Sequence, residues 1–100
     1  MNNNLEVLEK LENIIKTKKN QDPNSSYTAS LFKKGKQKIA NKLGEEAFET
    51  VTAFLSQNKE DLSEETADLI YHLFVLLEFS RVDFDCVLQV LNNRMKEKSD

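Results

Sequence analysis

The chain has 100 residues, of which 39% are hydrophobic and 31% charged, and its formal net charge is −3. This length predicts a single small domain over residues 1–100, and the slight acidic excess argues against binding to nucleic acid or to a membrane surface. The lone Cys86 leaves no intrachain disulfide, and the absence of a long apolar run in the sequence favours a cytoplasmic protein.

Hydrophobic periodicity and the scarcity of Gly and Pro predict an all-α fold of about five helices. Asn4 is expected to cap the first helix. Pro23 marks the polar loop that follows. A short second helix should begin at about Ser26 or Thr28 and end near Gly35, a residue type that commonly terminates helices.

A long third helix is predicted for about 36–57 and a fourth for about 60–79. From Leu69 to Leu77 the fourth helix is apolar on nearly all sides, which is typical of a central, buried helix. Asp83 should cap a fifth helix.

Both chain ends, residues 1–3 and 96–100, are expected to fray. A domain of this size has a modest core, so we expect a second copy of the chain to complete the helical bundle as a homodimer. The phenylalanines at helical spacings are interpreted as core or dimer interface, namely Phe54, Phe74, Phe79 and Phe84.

Acidic residues occur where the helices should be apolar. On the third helix Glu46 and Glu49 are neighbours one turn apart, and Glu46 lies on or beside the apolar stripe. Glu65 and Asp68 repeat the arrangement on the fourth helix. Four carboxylates brought together in a bundle would each need a proton or a cation. Oxygen ligands favour a hard divalent ion, namely magnesium, manganese or calcium, and magnesium in particular keeps several waters and binds substrate phosphates. Such an ion orients phosphates and activates water.

These acids have two other interpretations. Glu-x-x-Glu pairs are common on solvated helix faces, so the acids could be ordinary surface residues. A di-iron carboxylate bundle is disfavoured because that class requires two Glu-x-x-His motifs, and His72 is the only histidine.

A basic run precedes the acidic pair and is either a solvated face or a phosphate site. Geometry favours Lys42, which lies one turn before Glu46 on the same stripe, as a point charge for phosphate. His72 lies two turns after Glu65 on the same face. It is either a core residue with a satisfied nitrogen or a hydrogen-bond partner of a ligand carboxylate.

The two acidic stretches, Gly44-Glu45-Glu46-Ala47-Phe48-Glu49 and Glu65-Thr66-Ala67-Asp68, resemble the signature of the all-α nucleotide pyrophosphohydrolase superfamily. Together with residues 22–28, 34–39 and 67–73, they are similar in order to the phosphoribosyl-ATP pyrophosphohydrolase family over about Leu5 to Arg94. The resemblance implies hydrolysis of a small-molecule substrate, phosphoribosyl-ATP, to phosphoribosyl-AMP and pyrophosphate, the second step of histidine biosynthesis. It also implies a cytoplasmic, magnesium-dependent homodimer.

The resemblance further implies roles for individual residues. The metal ligands would be Glu46, Glu49, Glu65 and Asp68, with Glu45 close by. Apart from the resemblance, Glu45 is our candidate among the carboxylates to accept the water's proton. Substrate contacts would come from two lysines, Lys36 and Lys38, and from a hydroxyl-bearing loop, Ser25, Ser26, Tyr27 and Thr28. Two alternatives are a house-cleaning nucleoside triphosphate pyrophosphatase with the same metal site and a non-enzymatic dimeric helical adaptor.

Overall fold

The computed structural model describes residues 4–97 and confirms the all-α prediction. The five helices of this part of the chain are α1 (Glu6–Lys18), α2 (Tyr27–Lys34), α3 (Lys36–Ser56), α4 (Lys59–Phe79) and α5 (Phe84–Glu97). The fraying predicted for residues 1–3 and 98–100 lies outside the described residues, whereas Lys96 and Glu97 are helical. Within residues 4–97, no helix is both long enough and apolar enough to cross a bilayer.

Most helix boundaries lie within a few residues of the predicted ones. Local hydrogen bonds and backbone conformation determine them. Ser26 caps α2 because its Oγ accepts a hydrogen bond of 3.1 Å from the Ala29 amide. Gly35 ends α2 at φ 94°, where a side chain would be strained. Gln57 turns left-handed after α3 (φ 62°), and Asn58 caps α4 through its side-chain oxygen.

The predicted cap of α1 is wrong. The helix begins at Glu6 and no side chain caps it. Leu5 before it already has helical dihedrals (φ −65°, ψ −20°), whereas a capping residue needs a non-helical backbone. Asn4 contributes instead through its backbone carbonyl, which accepts a hydrogen bond of 3.0 Å from the Val7 amide.

The hydrophobic core lies where α1, α2 and the start of α3 pack against the C-terminal half of α4. Its buried side chains are Ile15, Leu31, Ile39, Phe74 and Val75. The most extensive helix contact is between α3 and α4, which a tight turn joins as an antiparallel hairpin. The hairpin extends beyond the core, and its outer part carries the acidic motifs.

Helix α5 packs on the rest of the chain mainly at its start. Phe84 contacts Phe74 with ring centroids 4.5 Å apart, and none of the described residues of α5 is fully buried. Leu88, Leu91 and Met95 share one side of the helix and remain exposed. An apolar side of α5 is therefore left without a partner among residues 4–97.

Candidate active site

The α3–α4 hairpin brings together three of the four predicted metal ligands. Glu46, Glu49 and Glu65 each offer a carboxylate oxygen within 4.8 Å of the other two. Glu46 is only 7% exposed, Glu65 is half-buried and Glu49 is exposed. The three carboxylates therefore form a cluster that runs from the helix interface to the surface.

Asp68, the fourth predicted ligand, lies at the edge of this cluster. It follows Glu65 by one helical turn, and its carboxylate is not among the three that meet within 4.8 Å. With Glu49 and Glu65 it lines a cavity of about 500 Å³ between the two helices. Its charge also contributes to raising the pKa of Glu46, so it belongs to the same electrostatic site.

Burial and mutual repulsion make these carboxylates reluctant to ionise together. Burial raises the pKa of Glu46, and the hydrogen bond and charge of Glu49 raise it further. Partial desolvation, then the charges of Glu49 and Asp68, raise the pKa of Glu65. Between residues 4 and 97, no ion pair within 4.0 Å reaches the three clustered glutamates.

A hard divalent cation fits this set of donors. All the donors are carboxylate oxygens, which magnesium and manganese prefer. Oxygens on opposite sides of a magnesium ion are about 4.2 Å apart, so small side-chain rotations would suffice to close the cluster around one. The cation would also supply the positive charge that Glu46 lacks.

Thr50 links the two acidic helices, and we did not identify it from the sequence. Its Oγ1 lies 2.8 Å from the Glu46 carbonyl oxygen and 3.1 Å from the Glu65 carbonyl oxygen. A hydroxyl has one proton, so the two carbonyls share it. The sequence feature that could have indicated it is a threonine four residues after Glu46, since threonine hydroxyls in helices often donate to the carbonyl one turn earlier.

Lys42 lies next to the cluster, as its position on the stripe predicts. Its Nζ is 3.8 Å from Oε1 of Glu45. Burial lowers the pKa of Lys42, but the charges of Tyr27, Glu45, Glu46 and Glu49 outweigh burial and raise it, so the ammonium stays charged. The Glu45 side chain is 61% exposed and stands outside the three clustered carboxylates.

The other two predicted lysines are further away. Lys36 and Lys38 are exposed in the first turn of α3. They precede Glu46 by ten and eight residues, which corresponds to about 15 and 12 Å along the helix axis. Only a long substrate would contact both these lysines and the carboxylates.

The hydroxyls of the predicted substrate loop differ in availability. Ser26 is buried and its Oγ is occupied as the α2 cap, while the buried Thr28 is hydrogen-bonded to the Tyr71 hydroxyl. Ser25 is exposed and donates to the Asp22 carbonyl at 3.2 Å. Ser25 is therefore the serine best placed to contact a substrate directly.

His72 is hydrogen-bonded on both ring nitrogens, and neither partner is a carboxylate. Nδ1 lies 2.8 Å from the Asp68 backbone carbonyl, one turn earlier, and therefore donates to it. Nε2 lies 3.0 Å from the hydroxyl of Tyr27, whose ring is half exposed. These contacts agree with the first of the two alternatives for His72, a buried residue with satisfied ring nitrogens.

Comparison with known proteins identifies the family to which the chain is similar. The family described as phosphoribosyl-ATP pyrophosphohydrolase matches residues 8–95. The chain is 52% identical over 91 residues to a phosphoribosyl-ATP pyrophosphatase of Metallosphaera sedula, which covers 91% of this chain and 98% of that protein. A protein of the same name from Erythrobacter litoralis is 49% identical over 90 residues, covering 90% of this chain and 86% of its own length.

Longer relatives contain the same region. The histidine biosynthesis bifunctional protein HisIE of Buchnera aphidicola is 44% identical over 96 residues, which cover 96% of this chain and 46% of that protein. The chain thus spans about half the length of this bifunctional relative and nearly all of the Metallosphaera protein. The family match over most of the chain confirms the resemblance, and the chain belongs to the phosphoribosyl-ATP pyrophosphohydrolase family.

Proposed function

We propose that this chain hydrolyses phosphoribosyl-ATP to phosphoribosyl-AMP and pyrophosphate in the cytoplasm, the second step of histidine biosynthesis. Membership of the family supports the reaction, and a relative that the chain matches over 98% of its length carries the corresponding name. The observation that carries the proposal is Glu46, a buried carboxylate that faces two other carboxylates instead of a cation. Such a group is expected where a metal ion binds.

Glu46, Glu49, Glu65 and Asp68 are proposed to hold magnesium or manganese. The ion would neutralise charge on the substrate's phosphate oxygens and make a bound water more acidic. Glu46 would anchor the site because its position at the helix interface restricts it. Asp68 would join by side-chain rotation from the edge of the cavity.

The neighbouring residues are proposed to bind the substrate and to accept a proton. Lys42 remains cationic beside the carboxylates and suits a phosphate of the triphosphate. Glu45, exposed and 3.8 Å from Lys42, is the candidate to accept the proton of the attacking water. Lys36, Lys38 and Ser25, which are all exposed, are proposed to contact the extra phosphate of the phosphoribosyl group.

We propose further that the active form is a homodimer. On α3, Phe48, Val51 and Leu55 occupy one stripe and are each more than half exposed. Helix α5 also has an apolar side that no other described residue covers. A stable interface buries about 800 Å² on each partner, which two such helices can supply. Sedimentation should show a dimer at micromolar concentration, and a stable, active monomer would contradict this proposal.

Substrate selectivity tests the proposed reaction. Pyrophosphate release should be measured with magnesium and phosphoribosyl-ATP, then with dATP, dCTP and dUTP. We expect a strong preference for phosphoribosyl-ATP. Comparable turnover of the ordinary nucleotides would identify a general nucleoside triphosphate pyrophosphatase, and no turnover of any substrate would favour a helical adaptor.

A further inference from the structure

Two adjacent residues in the first turn of α2 bind two adjacent residues of α4. The hydroxyls of Thr28 and Tyr71 share a short hydrogen bond, and the Tyr27 hydroxyl lies 3.0 Å from Nε2 of His72. The rings of Tyr27 and Tyr71 are stacked with centroids 6.1 Å apart, and His72 stands edge-on to both. We call these four residues, Tyr27, Thr28, Tyr71 and His72, the α2–α4 latch.

The latch supplies the polar part of the contact between these helices. Helix α2 packs chiefly on α3, and at its far end Phe32 contacts Phe79 of α4 through apolar rings 5.8 Å apart. In the first turn of α2, the stacked ring of Tyr27 and the two hydrogen bonds provide the contacts with α4. The position of this turn relative to α4 therefore depends on the latch.

Both hydrogen bonds of the latch are well defined. Burial raises the pKa of Tyr71, and the hydrogen bond with Thr28 lowers it only in part, so the phenol keeps its proton. His72 donates from Nδ1 to the Asp68 carbonyl, which leaves Nε2 to accept the proton of Tyr27 in the neutral ring. The latch thus connects the first turn of α2 to α4 one turn after Asp68.

The two sides that the latch joins have different proposed tasks. Helix α4 carries Glu65 and Asp68, while the first turn of α2 follows the exposed Ser25 and carries the half-exposed Tyr27. A substrate that reaches from the carboxylates to this turn requires a fixed distance between the helices. A ligand that occupies the carboxylates alone does not.

We infer that Tyr71 is a positioning residue that, through Thr28, sets the selectivity of the site for the phosphoribosyl end of the substrate. The inference rests on the proposed function. Without the Tyr71 hydroxyl the fold persists, but the first turn of α2 must be ordered when the substrate binds. Binding of phosphoribosyl-ATP then weakens, whereas binding of pyrophosphate, which needs only the metal side, does not.

The test removes single hydroxyls and measures binding at both sides. Tyr71→Phe should raise KM for phosphoribosyl-ATP roughly fivefold, the worth of one neutral hydrogen bond, and change kcat by less than about twofold. The inhibition constant of pyrophosphate should stay the same. Thr28→Val should reproduce this pattern, and the double variant should be no worse than either single one, because both remove the same bond.

Thr17→Val is the matched control. Its exposed hydroxyl donates to the Asn13 carbonyl within α1 and to no other residue between 4 and 97, so no kinetic constant should change. If KM stayed unchanged in Tyr71→Phe and Thr28→Val while the wild-type protein is active, the inference about Tyr71 would be overturned and the proposed function would stand. Equal losses for phosphoribosyl-ATP and pyrophosphate, in step with a loss of helix by circular dichroism, would also overturn the inference, because they indicate a merely structural role. Wild-type protein inactive on phosphoribosyl-ATP would refute the proposed function itself.

Discussion

Glu46 on α3 and Glu78 on α4 are almost equally hidden, at 7% and 8% exposure, but their surroundings are opposite. Glu78 accepts hydrogen bonds from Lys16 at 2.7 Å and from Lys19 at 2.6 Å. Glu46 instead meets the carboxylates of its neighbours. One buried charge is thus matched by the chain itself, and the other is not.

The pKa values of the two residues reflect this difference. Burial raises the pKa of Glu78, but the hydrogen bonds from Lys16 and Lys19 outweigh it and the net pKa is lowered. Burial and Glu49 both raise the pKa of Glu46, and the charge of Lys42 offsets them only in part. A buried acid paired within the fold is structural, whereas an unpaired one indicates a site for an external cation.

The matched region holds the helices together. Lys16 also reaches Asp83 at 3.2 Å, and Glu12 accepts a hydrogen bond of 2.8 Å from the Phe84 amide. These contacts join α1 to the corner between α4 and α5. They therefore set the direction in which α5 leaves the core.

Replacing each glutamate by its neutral analogue should separate the two roles most clearly. Glu46→Gln should lower pyrophosphate release from phosphoribosyl-ATP by at least about a hundredfold, because a charged ligand is lost. Glu78→Gln should leave the turnover of the folded protein near that of the wild type. Near-wild-type turnover of Glu46→Gln at saturating magnesium would remove the basis of the comparison.

Magnesium should stabilise only the protein with an intact cluster. At 100 times its Kd, a ligand that binds the folded state alone adds about 2.7 kcal/mol. In a domain of this size that raises Tm by roughly 10–20 °C. Differential scanning fluorimetry should show the shift in the wild type and in Glu78→Gln. An equal shift in Glu46→Gln would place the ion elsewhere.

Whether the sequence predicts the surroundings of a buried glutamate depends on how far apart in the chain the contacting residues are. Glu46 was identified because its neighbours on a single helix reveal its inward position, which periodicity alone provides. Glu78 was missed because its partners Lys16 and Lys19 are 62 and 59 residues away and meet it only when α1 packs on α4. The bond from Thr28 to Tyr71 was missed for the same reason.

Capping shows a limit of local patterns as well. Ser26 and Asn58 cap their helices as their residue types favour, but Asn4 does not, although it is an equally good capping residue. The backbone at Leu5 is already helical, and residue preference does not reveal that conformation.

Glu78→Gln should destabilise the protein moderately. Neutralising Glu78 leaves Lys16 and Lys19 without their partner, but their side chains are 39% and 30% exposed and can turn to solvent. We therefore expect a loss of about 1–2 kcal/mol in the free energy of unfolding. In urea denaturation with a chelator present, Glu46→Gln should show the opposite sign because repulsion is relieved. A neutral effect of Glu78→Gln would show that the ion pair is not structural.

The pH dependence of stability without metal should also differ between the two regions. The pKa values of Glu46 and Glu65 are raised above the ordinary 4.5. Their contribution to the free energy of unfolding is therefore full below pH 4.5 and is lost as pH rises through the raised values. The pKa of Glu78 is lowered, so its contribution is present above 4.5 and is lost as pH falls through the lowered value. Metal-free protein should therefore be most stable in the mildly acidic range.

Variants should show which glutamate causes the loss of stability on each side of this pH maximum. This change in the pH profile is the smallest of the effects we expect. In urea denaturation from about pH 3.5 to about pH 8 with a chelator, Glu46→Gln should flatten the decline toward neutral pH. Glu78→Gln should flatten the decline toward acid. Magnesium should reverse the neutral-side decline in the wild type, because it binds the ionised carboxylates and competes with protons. If both variants kept the wild-type dependence of stability on pH, each glutamate would have the same pKa in the folded and unfolded states. The contrast between their surroundings would then make no difference to the free energy of unfolding.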